Sequence, residues 1–238
     1  MQHAHTATAA AMLPMVFLDG AVPGITPYRA GAPLWGRVLE RFSQGTSVTT
    51  LEWATIAAHD ATTPGFDGAL AQVEQALRHL ALGPCHLVAH DVAGLAALHI
   101  ATSAPDLVAA VTVCSSVAAC PTGDGVENLT LAHPPAPAGT RAGQRWAAER
   151  LSYSHLHIDD ALLDAGAGVP AATQAPSATA WAGSVARAKN RLFALARAEG
   201  VPVPVQLVWG SHDPVAPLDQ ALWLFRVIAQ RQPRTQFH

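Results

Sequence analysis

The sequence is short of charge and of cysteine. Asp, Glu, Lys and Arg make up 13% of its 238 residues, the formal net charge is −3, and Lys and Arg form no cluster. Nucleic acid and anionic membrane surfaces are therefore not expected as partners. The three cysteines, Cys85, Cys114 and Cys120, lie in apolar stretches. This favours a reducing, cytoplasmic location over a disulfide framework.

Long apolar runs are also missing, and no targeting segment is expected. No uninterrupted apolar run reaches membrane-spanning length, and residues 1–15 lack the basic region of a signal peptide. Half of the chain is hydrophobic, so it can bury a sizeable core. The length suits one α/β domain with an insertion, or two small domains.

Short apolar segments alternate with amphipathic ones from residue 15 to residue 116. The apolar segments read as buried strands, and the amphipathic ones carry apolar residues at helical spacing. Another apolar strand, a helix and the start of a final strand follow within residues 203–238. The alternation predicts a mostly parallel, doubly wound sheet with helices on both faces.

Residues 117–197 differ in composition from the segments on either side. Pro, Gly and Ala dominate much of this stretch, and three amphipathic segments within it predict helices. We interpret 117–197 as a helical cap inserted between two parts of a core, 1–116 and 198–238. Such a cap would close over a site and exclude water from it.

A carboxylate stands between the strand and the helix near the middle of the chain. Asp91 follows the apolar run 86–89, lies between the small residues Ala89 and Ala93, and precedes an alanine-rich helix. This is the layout of a nucleophile elbow, in which a sharp turn presents a reactive side chain. The stretch resembles the α/β-hydrolase pattern small-x-nucleophile-x-small, except that Asp stands where that family usually has Ser.

The loop after the first strand supports the same resemblance. It reads Asp-Gly-Ala-Val-Pro-Gly over residues 19–24 and is similar to the His-Gly-x-x-Pro-Gly loop of the hydrolases that cleave aromatic ring-fission products. The resemblance implies that two backbone N–H groups, those of Ala21 and Val92, hold an oxyanion. Here Asp19 replaces the family's His.

The acid and the base of a catalytic triad are expected late in the chain. Gly-Ser-His-Asp over residues 210–213 matches the family's strand-end acid motif, which implies that Asp213 orients the base. The base should be a His after a final strand that begins near Thr235. We therefore expect the sequence to be a fragment that stops short of its base, with His238 as the alternative.

An Asp nucleophile restricts the chemistry. A carboxylate attacks carbon by displacement and forms an ester that water must hydrolyse, as in epoxide hydrolases and haloalkane dehalogenases. Those enzymes commonly have Trp where this chain has Val92, and epoxide-opening members use two cap tyrosines where this cap has only Tyr153. We expect Tyr153 to contact a small, mostly apolar substrate, together with Trp146 and Trp181.

Two other readings stay open. The first is a carbon–carbon bond or ester hydrolase related to the ring-fission enzymes, which would require a serine nucleophile such as Ser115 or Ser116. The second is a non-catalytic binding protein that kept the fold and the pocket. No cofactor or metal is implied, and the sequence does not fix the oligomeric state.

Overall fold

The computed structural model describes residues 12–22, 26, 28–29, 31–52, 56, 65–121, 131, 133–168 and 178–238. Its strands form one parallel sheet in the order β2-β1-β3-β4-β5-β6. Their bounds are β1 Met15–Leu18, β2 Val48–Leu51, β3 Cys85–His90, β4 Val108–Cys114, β5 Val205–Val208 and β6 Gln236–Phe237. The predicted parallel α/β fold is confirmed.

Eight α-helices lie within the described ranges. They are α1 Ala32–Trp35, α2 Arg37–Ser43, α3 Phe66–Leu80, α4 Val92–Ser103, α5 Arg141–Leu151, α6 Asp160–Gly168, α7 Ala178–Ala198 and α8 Leu218–Ala229. No described helix combines the length and the apolar character needed to cross a membrane.

Two local expectations were wrong. The apolar stripe in residues 34–42 predicts one helix, but Gly36, at φ 48°, separates α1 from α2. The sequence also makes Asp67 a candidate N-cap of the helix that contains it, but that helix begins one residue earlier, at Phe66. The Phe66 N–H donates instead to the hydroxyl of Ser184 at 2.9 Å.

Helices cover both faces of the sheet. On one face, Met15, Phe17 and Val88 pack with Trp35 and Leu39 from α1 and α2. The other face meets α3, α4, α7 and α8 in the main core, to which the strands contribute Val16, Leu18, Leu87, Val111 and Leu207. Neighbouring strand residues point to opposite faces. Because both faces are covered, β1 is apolar at every position and the central strands β3 and β4 are mostly apolar.

The helices of the predicted cap pack in two different ways. The first two, α5 and α6, pack on each other, and α6 also contacts α1. The third, α7, packs against α3, α4 and α8 and so belongs to the layer that covers the sheet. A cap that extends to residue 197 stays a prediction.

Candidate active site

Four chemically active side chains follow the carboxyl ends of neighbouring strands. Asp19 follows β1, Asp91 follows β3, Ser115 follows β4, and Asp213 comes a few residues after β5. The chain leaves β1 for β2 on one side and later adds β3 on the other, so the strand order reverses between β1 and β3. Parallel sheets bind ligands in the crevice at such a switch point.

The backbone at Asp91 makes a tight, strained turn. Asp91 has φ 50° and ψ −125°, a conformation that non-glycine residues rarely adopt, and its N–H donates to the carbonyl of Cys114 at 3.1 Å. Ala89 and Ala93 are fully buried beside it, and a Cβ at Gly94 would lie 2.7 Å from a methyl of Val113. The small neighbours let α4 start directly under the turn, so Asp91 stands at its apex.

Sequence reasoning missed the residue that contacts the Asp91 carboxylate. The hydroxyl of Tyr28 donates to Asp91 Oδ2 at 2.5 Å. The Tyr28 ring is buried in a small cluster with Ala21 and Ala147, and Trp146 packs against that cluster. A possible signal was the scarcity of tyrosine: the chain has two, and one lies just after the predicted oxyanion loop.

Burial governs the titration of this group of residues. Desolvation raises the pKa of Asp91, Asp213 raises it further, and His90 and the Tyr28 hydrogen bond partly oppose the increase. Burial and the neighbouring Asp91 raise the pKa of Tyr28 well above 10. Burial lowers the pKa of His90, which is therefore neutral at pH 7. Its Nδ1 atom is buried and has no hydrogen-bond partner among the described residues.

The predicted oxyanion donor Ala21 is already engaged. Its N–H donates to Asp19 Oδ1 at 3.0 Å, so the carboxylate that replaces the family's His occupies this donor. Asp19 is only 2% exposed, and burial raises its pKa from 3.8 to about 7. Ala21 could hold an oxyanion only after Asp19 releases it. Residues 23 and 24 of the predicted loop lie outside the described residues.

Val92 occupies the position expected of the other donor. It is the first residue of α4, where N–H groups have no acceptor within the helix. The positive end of the helix dipole favours negative charge at this point. A Cβ on Gly20 would lie 2.7 Å from the Val92 nitrogen, so the loop after β1 packs directly on the elbow.

Asp213 lies at the edge of an open cleft of about 230 Å³. Its Oδ1 accepts the N–H groups of Val215 and Ala216 at 2.9 and 2.8 Å, which fixes the carboxylate. The cleft is lined by residues 210–213 together with Ser115, Leu151 and Tyr153. Tyr153 is 94% exposed, and its ring lies 6.0 Å from that of His212.

The two candidate tryptophans lie in different places. Trp146 packs against the cluster that contains Tyr28, with the guanidinium of Arg150 4.8 Å from its ring centre. Trp181 is 6% exposed, and its ring centre lies 6.2 Å from that of Phe66 in the main core. Substrate contacts of Trp146, Tyr153 and Trp181 stay predictions.

The remaining predicted residues are the histidine base and the two candidate serine nucleophiles, Ser115 and Ser116. No histidine in the described part of the chain hydrogen bonds to Asp91, and His238 continues β6 through backbone bonds to Leu207 and Trp209. Ser116 is fully buried, and its hydroxyl accepts the N–H of Ala119. Ser115, at φ 44°, faces the cleft.

Comparison with known families decides the class. The sequence profile described as alpha/beta hydrolase fold matches residues 44–236, which is most of the chain. The chain belongs to the α/β-hydrolase-fold family. This membership makes it a hydrolase of that fold, while the identity of its nucleophile stays a prediction.

Solved structures similar to this α/β hydrolase agree on the fold. One is the 2-hydroxy-6-oxo-6-phenylhexa-2,4-dienoate hydrolase from Rhodococcus sp., with 17% identity and a TM-score of 0.65 over 95% of this chain and 82% of that one. A meta-cleavage product hydrolase from Pseudomonas fluorescens has 16% identity and a TM-score of 0.65, over 95% and 81%. A monoacylglycerol lipase from Paleococcus ferrophilus has 17% identity and a TM-score of 0.58, over 95% and 84%. Comparison with curated proteins found no match.

Proposed function

We propose that the protein is a hydrolase in which Asp91 attacks an electrophilic carbon of a small, mostly apolar molecule and forms an ester. The observation that carries this proposal is the carboxylate at the apex of the strained turn, with Oδ2 held by Tyr28. The hydrogen bond orients the carboxylate and leaves Oδ1 as the attacking oxygen. A carboxylate needs no base to act as a nucleophile.

The reaction has two steps. Oδ1 forms a bond to the substrate carbon, and the bond from that carbon to a halide or an epoxide oxygen breaks, its electron pair leaving with the departing atom. Water then adds to the ester carbonyl carbon while its proton passes to Asp213. The acyl–oxygen bond breaks, and the proton held by Asp213 passes to the departing alkoxide, which becomes an alcohol. Asp91 is left as a carboxylic acid, and its proton passes to the alkoxide formed from the epoxide oxygen or, when halide was displaced, to solvent.

The surroundings support a small substrate and an internal proton acceptor. The charge on Asp213 raises the pKa of Asp91, so the two carboxylates interact electrostatically. The cleft of about 230 Å³ is lined by Asp213 and Ser115 but not by Asp91, and it is smaller than a typical pocket for drug-sized ligands. Haloalkanes and epoxides of a few carbons therefore suit the cleft. The free cysteines separately favour a cytoplasmic location.

Asp91→Asn tests the proposal. Asn keeps the shape and an oxygen that Tyr28 can contact, but it lacks the nucleophilic carboxylate, so we expect turnover to fall at least about 10⁴-fold. The assay measures hydrolysis of 1-bromohexane and 1,2-epoxyhexane by gas chromatography. Asp219→Asn removes the same charge from an exposed position and is the matched control.

Activity that depends on a serine instead of Asp91 would contradict the proposal. If Asp91→Asn keeps full activity and Ser115→Ala loses it, the nucleophile is a serine and the ring-fission or ester reading becomes the better one. An Asp that attacked an acyl carbon would form an unstable anhydride, which is why this reading needs a serine.

One observation favours a second candidate function, a binding protein without catalysis. Asp19 occupies the N–H of Ala21, and Tyr28 covers one oxygen of Asp91, so one predicted oxyanion donor and one oxygen of the predicted nucleophile are already bound by the protein. In that case, isothermal titration would measure the same affinity for hexanol in the wild type and in Asp91→Asn, and no substrate would turn over.

A further inference from the structure

Tyr28 is the described side chain that hydrogen bonds to the Asp91 carboxylate. The phenol oxygen and Asp91 Oδ2 are 2.5 Å apart, and the two residues are separated by 63 positions in the sequence. The Tyr28 ring is 8% exposed and packs in the cluster formed with Ala21 and Ala147. The hydroxyl therefore has a fixed position at the nucleophile and is not a loose surface group.

The loop after β1 offers no free backbone donor at Ala21. In the hydrolases that this sequence resembles, the corresponding loop contributes a backbone N–H that holds the oxyanion. Here the Ala21 N–H points to Asp19 Oδ1 at 3.0 Å, inside a buried turn. The same segment of chain instead brings a side-chain hydroxyl to Asp91.

We propose that Tyr28 is a catalytic residue whose hydroxyl replaces the Ala21 N–H as the oxyanion donor during hydrolysis of the ester on Asp91. The inference rests on the proposed function. When Oδ1 carries the substrate carbon, Oδ2 becomes the carbonyl oxygen of the ester. Water adds to the carbonyl carbon, the C=O electron pair moves to Oδ2, and the negative charge develops on the atom that Tyr28 already contacts. The Val92 N–H at the start of α4 is the second donor.

The environment of Tyr28 keeps its proton available for this role. Burial and the negative charges of Asp91, Asp19 and Asp213 raise the pKa of Tyr28 well above 10, so the phenol is a donor across the working pH range. Because the bond is already formed in the resting protein, the donor needs no reorganisation when the charge develops.

The experiment separates formation of the ester from its decay. Wild type and Tyr28→Phe are mixed in excess with 1,2-epoxyhexane or 1-bromohexane, quenched with acid over a time course, and digested. Mass spectrometry then measures the fraction of the Asp91 peptide that carries the substrate. We expect ester decay to slow about 100-fold or more in Tyr28→Phe, since this is the usual cost of losing one oxyanion donor. Ester formation should change less than about 10-fold, so the ester accumulates.

Thr102→Val is the matched control for losing a part-buried, hydrogen-bonded hydroxyl. The Thr102 hydroxyl donates to the Leu98 carbonyl within α4, at the end of that helix remote from Asp91. We expect formation and decay of the ester in this variant to match the wild type, whatever the change in stability.

The other outcomes of this experiment separate failure of the inference from failure of the proposed function. If the ester decays at the same rate in Tyr28→Phe and in the wild type, Tyr28 is not the donor and the inference fails while the proposed function stands. If no ester forms in the wild type, the proposed function fails and the inference falls with it. If Tyr28→Phe does not fold, 3,5-difluorotyrosine is inserted at position 28. Its hydroxyl is the more acidic donor and should speed ester decay, and an unchanged decay rate would overturn the inference.

Discussion

At the scale of single residues, Asp19 controls how the site responds to pH. It is buried beside Glu52, and its pKa is raised from 3.8 to about 7. Between these values the folded protein holds a proton that the unfolded chain has lost, so the free energy of unfolding falls as the pH rises from about 4 to about 7. The total loss is on the order of 4 kcal/mol, at about 1.4 kcal/mol per pKa unit.

Replacing Asp19 with Asn should remove this loss. The amide oxygen can still accept the N–H of Ala21, but it carries no charge to be desolvated. We expect Asp19→Asn to be about 2 kcal/mol more stable than the wild type at pH 8, and to lose the advantage at pH 5. Urea denaturation at both pH values measures the difference. An equal gain at both pH values would mean that the carboxylate of Asp19 does not titrate in this range.

Local spacing in the sequence predicts the backbone setting of some candidate site residues and does not reveal others. Asp91 lies at a tight turn and Asp213 at a strand end because strand, turn and helix are coded within a few neighbouring positions. Tyr28 could not be assigned in this way, since its contact with Asp91 depends on the pairing of β1 with β3. The Asp19–Ala21 bond is local, but the sequence resemblance suggested a free N–H there.

At the scale of elements, the loop after β1 and the turn before α4 are held in direct contact. A Cβ on Gly20 would lie 2.3 Å from the carbonyl oxygen of His90 and 2.7 Å from the nitrogen of Val92. These are backbone atoms of the elbow and cannot rotate away. We expect Gly20→Ala to lower the free energy of unfolding by about 3 kcal/mol and to abolish turnover.

The control for that variant is another glycine-to-alanine change. Gly183 lies within α7, and the nearest atom to its added Cβ is the flexible guanidinium of Arg187 at 3.6 Å. Gly183→Ala should raise stability by about 0.5–1 kcal/mol, because alanine favours helix. Thermal denaturation compares the two, and a Gly20→Ala variant as stable as the wild type would contradict the close packing of loop and elbow.

The strands and helices were largely predictable, and their exact ends were less so. Apolar runs and helical stripes identify the described elements because each is a local pattern. The break at Gly36 depends on a backbone conformation that composition does not reveal. The N–H of Phe66 at the start of α3 is bound by Ser184, which lies 118 positions away in the sequence. Local sequence could not reveal this contact and indicated Asp67 as the cap instead.

At the scale of the whole molecule, the order of the strands explains where the site lies. Alternation of strands and helices predicts a parallel sheet, but it does not say which strands are neighbours. The order places β1 between β2 and β3, which opens a crevice at the carboxyl ends of β1 and β3. The Asp19 loop, Tyr28 and Asp91 meet there, and the helix α5 contributes Ala147 to the cluster that buries Tyr28.

The most direct test of the central claim follows one oxygen atom. Protein in excess over 1,2-epoxyhexane is allowed a single turnover in H₂¹⁸O, and the Asp91 peptide and the diol are analysed by mass spectrometry. If Asp91 forms an ester that water opens at the carbonyl carbon, ¹⁸O enters the Asp91 carboxylate, and the first diol carries an oxygen from the protein. If the diol contains ¹⁸O and the Asp91 peptide contains none, water attacks the substrate directly and Asp91 is not the nucleophile.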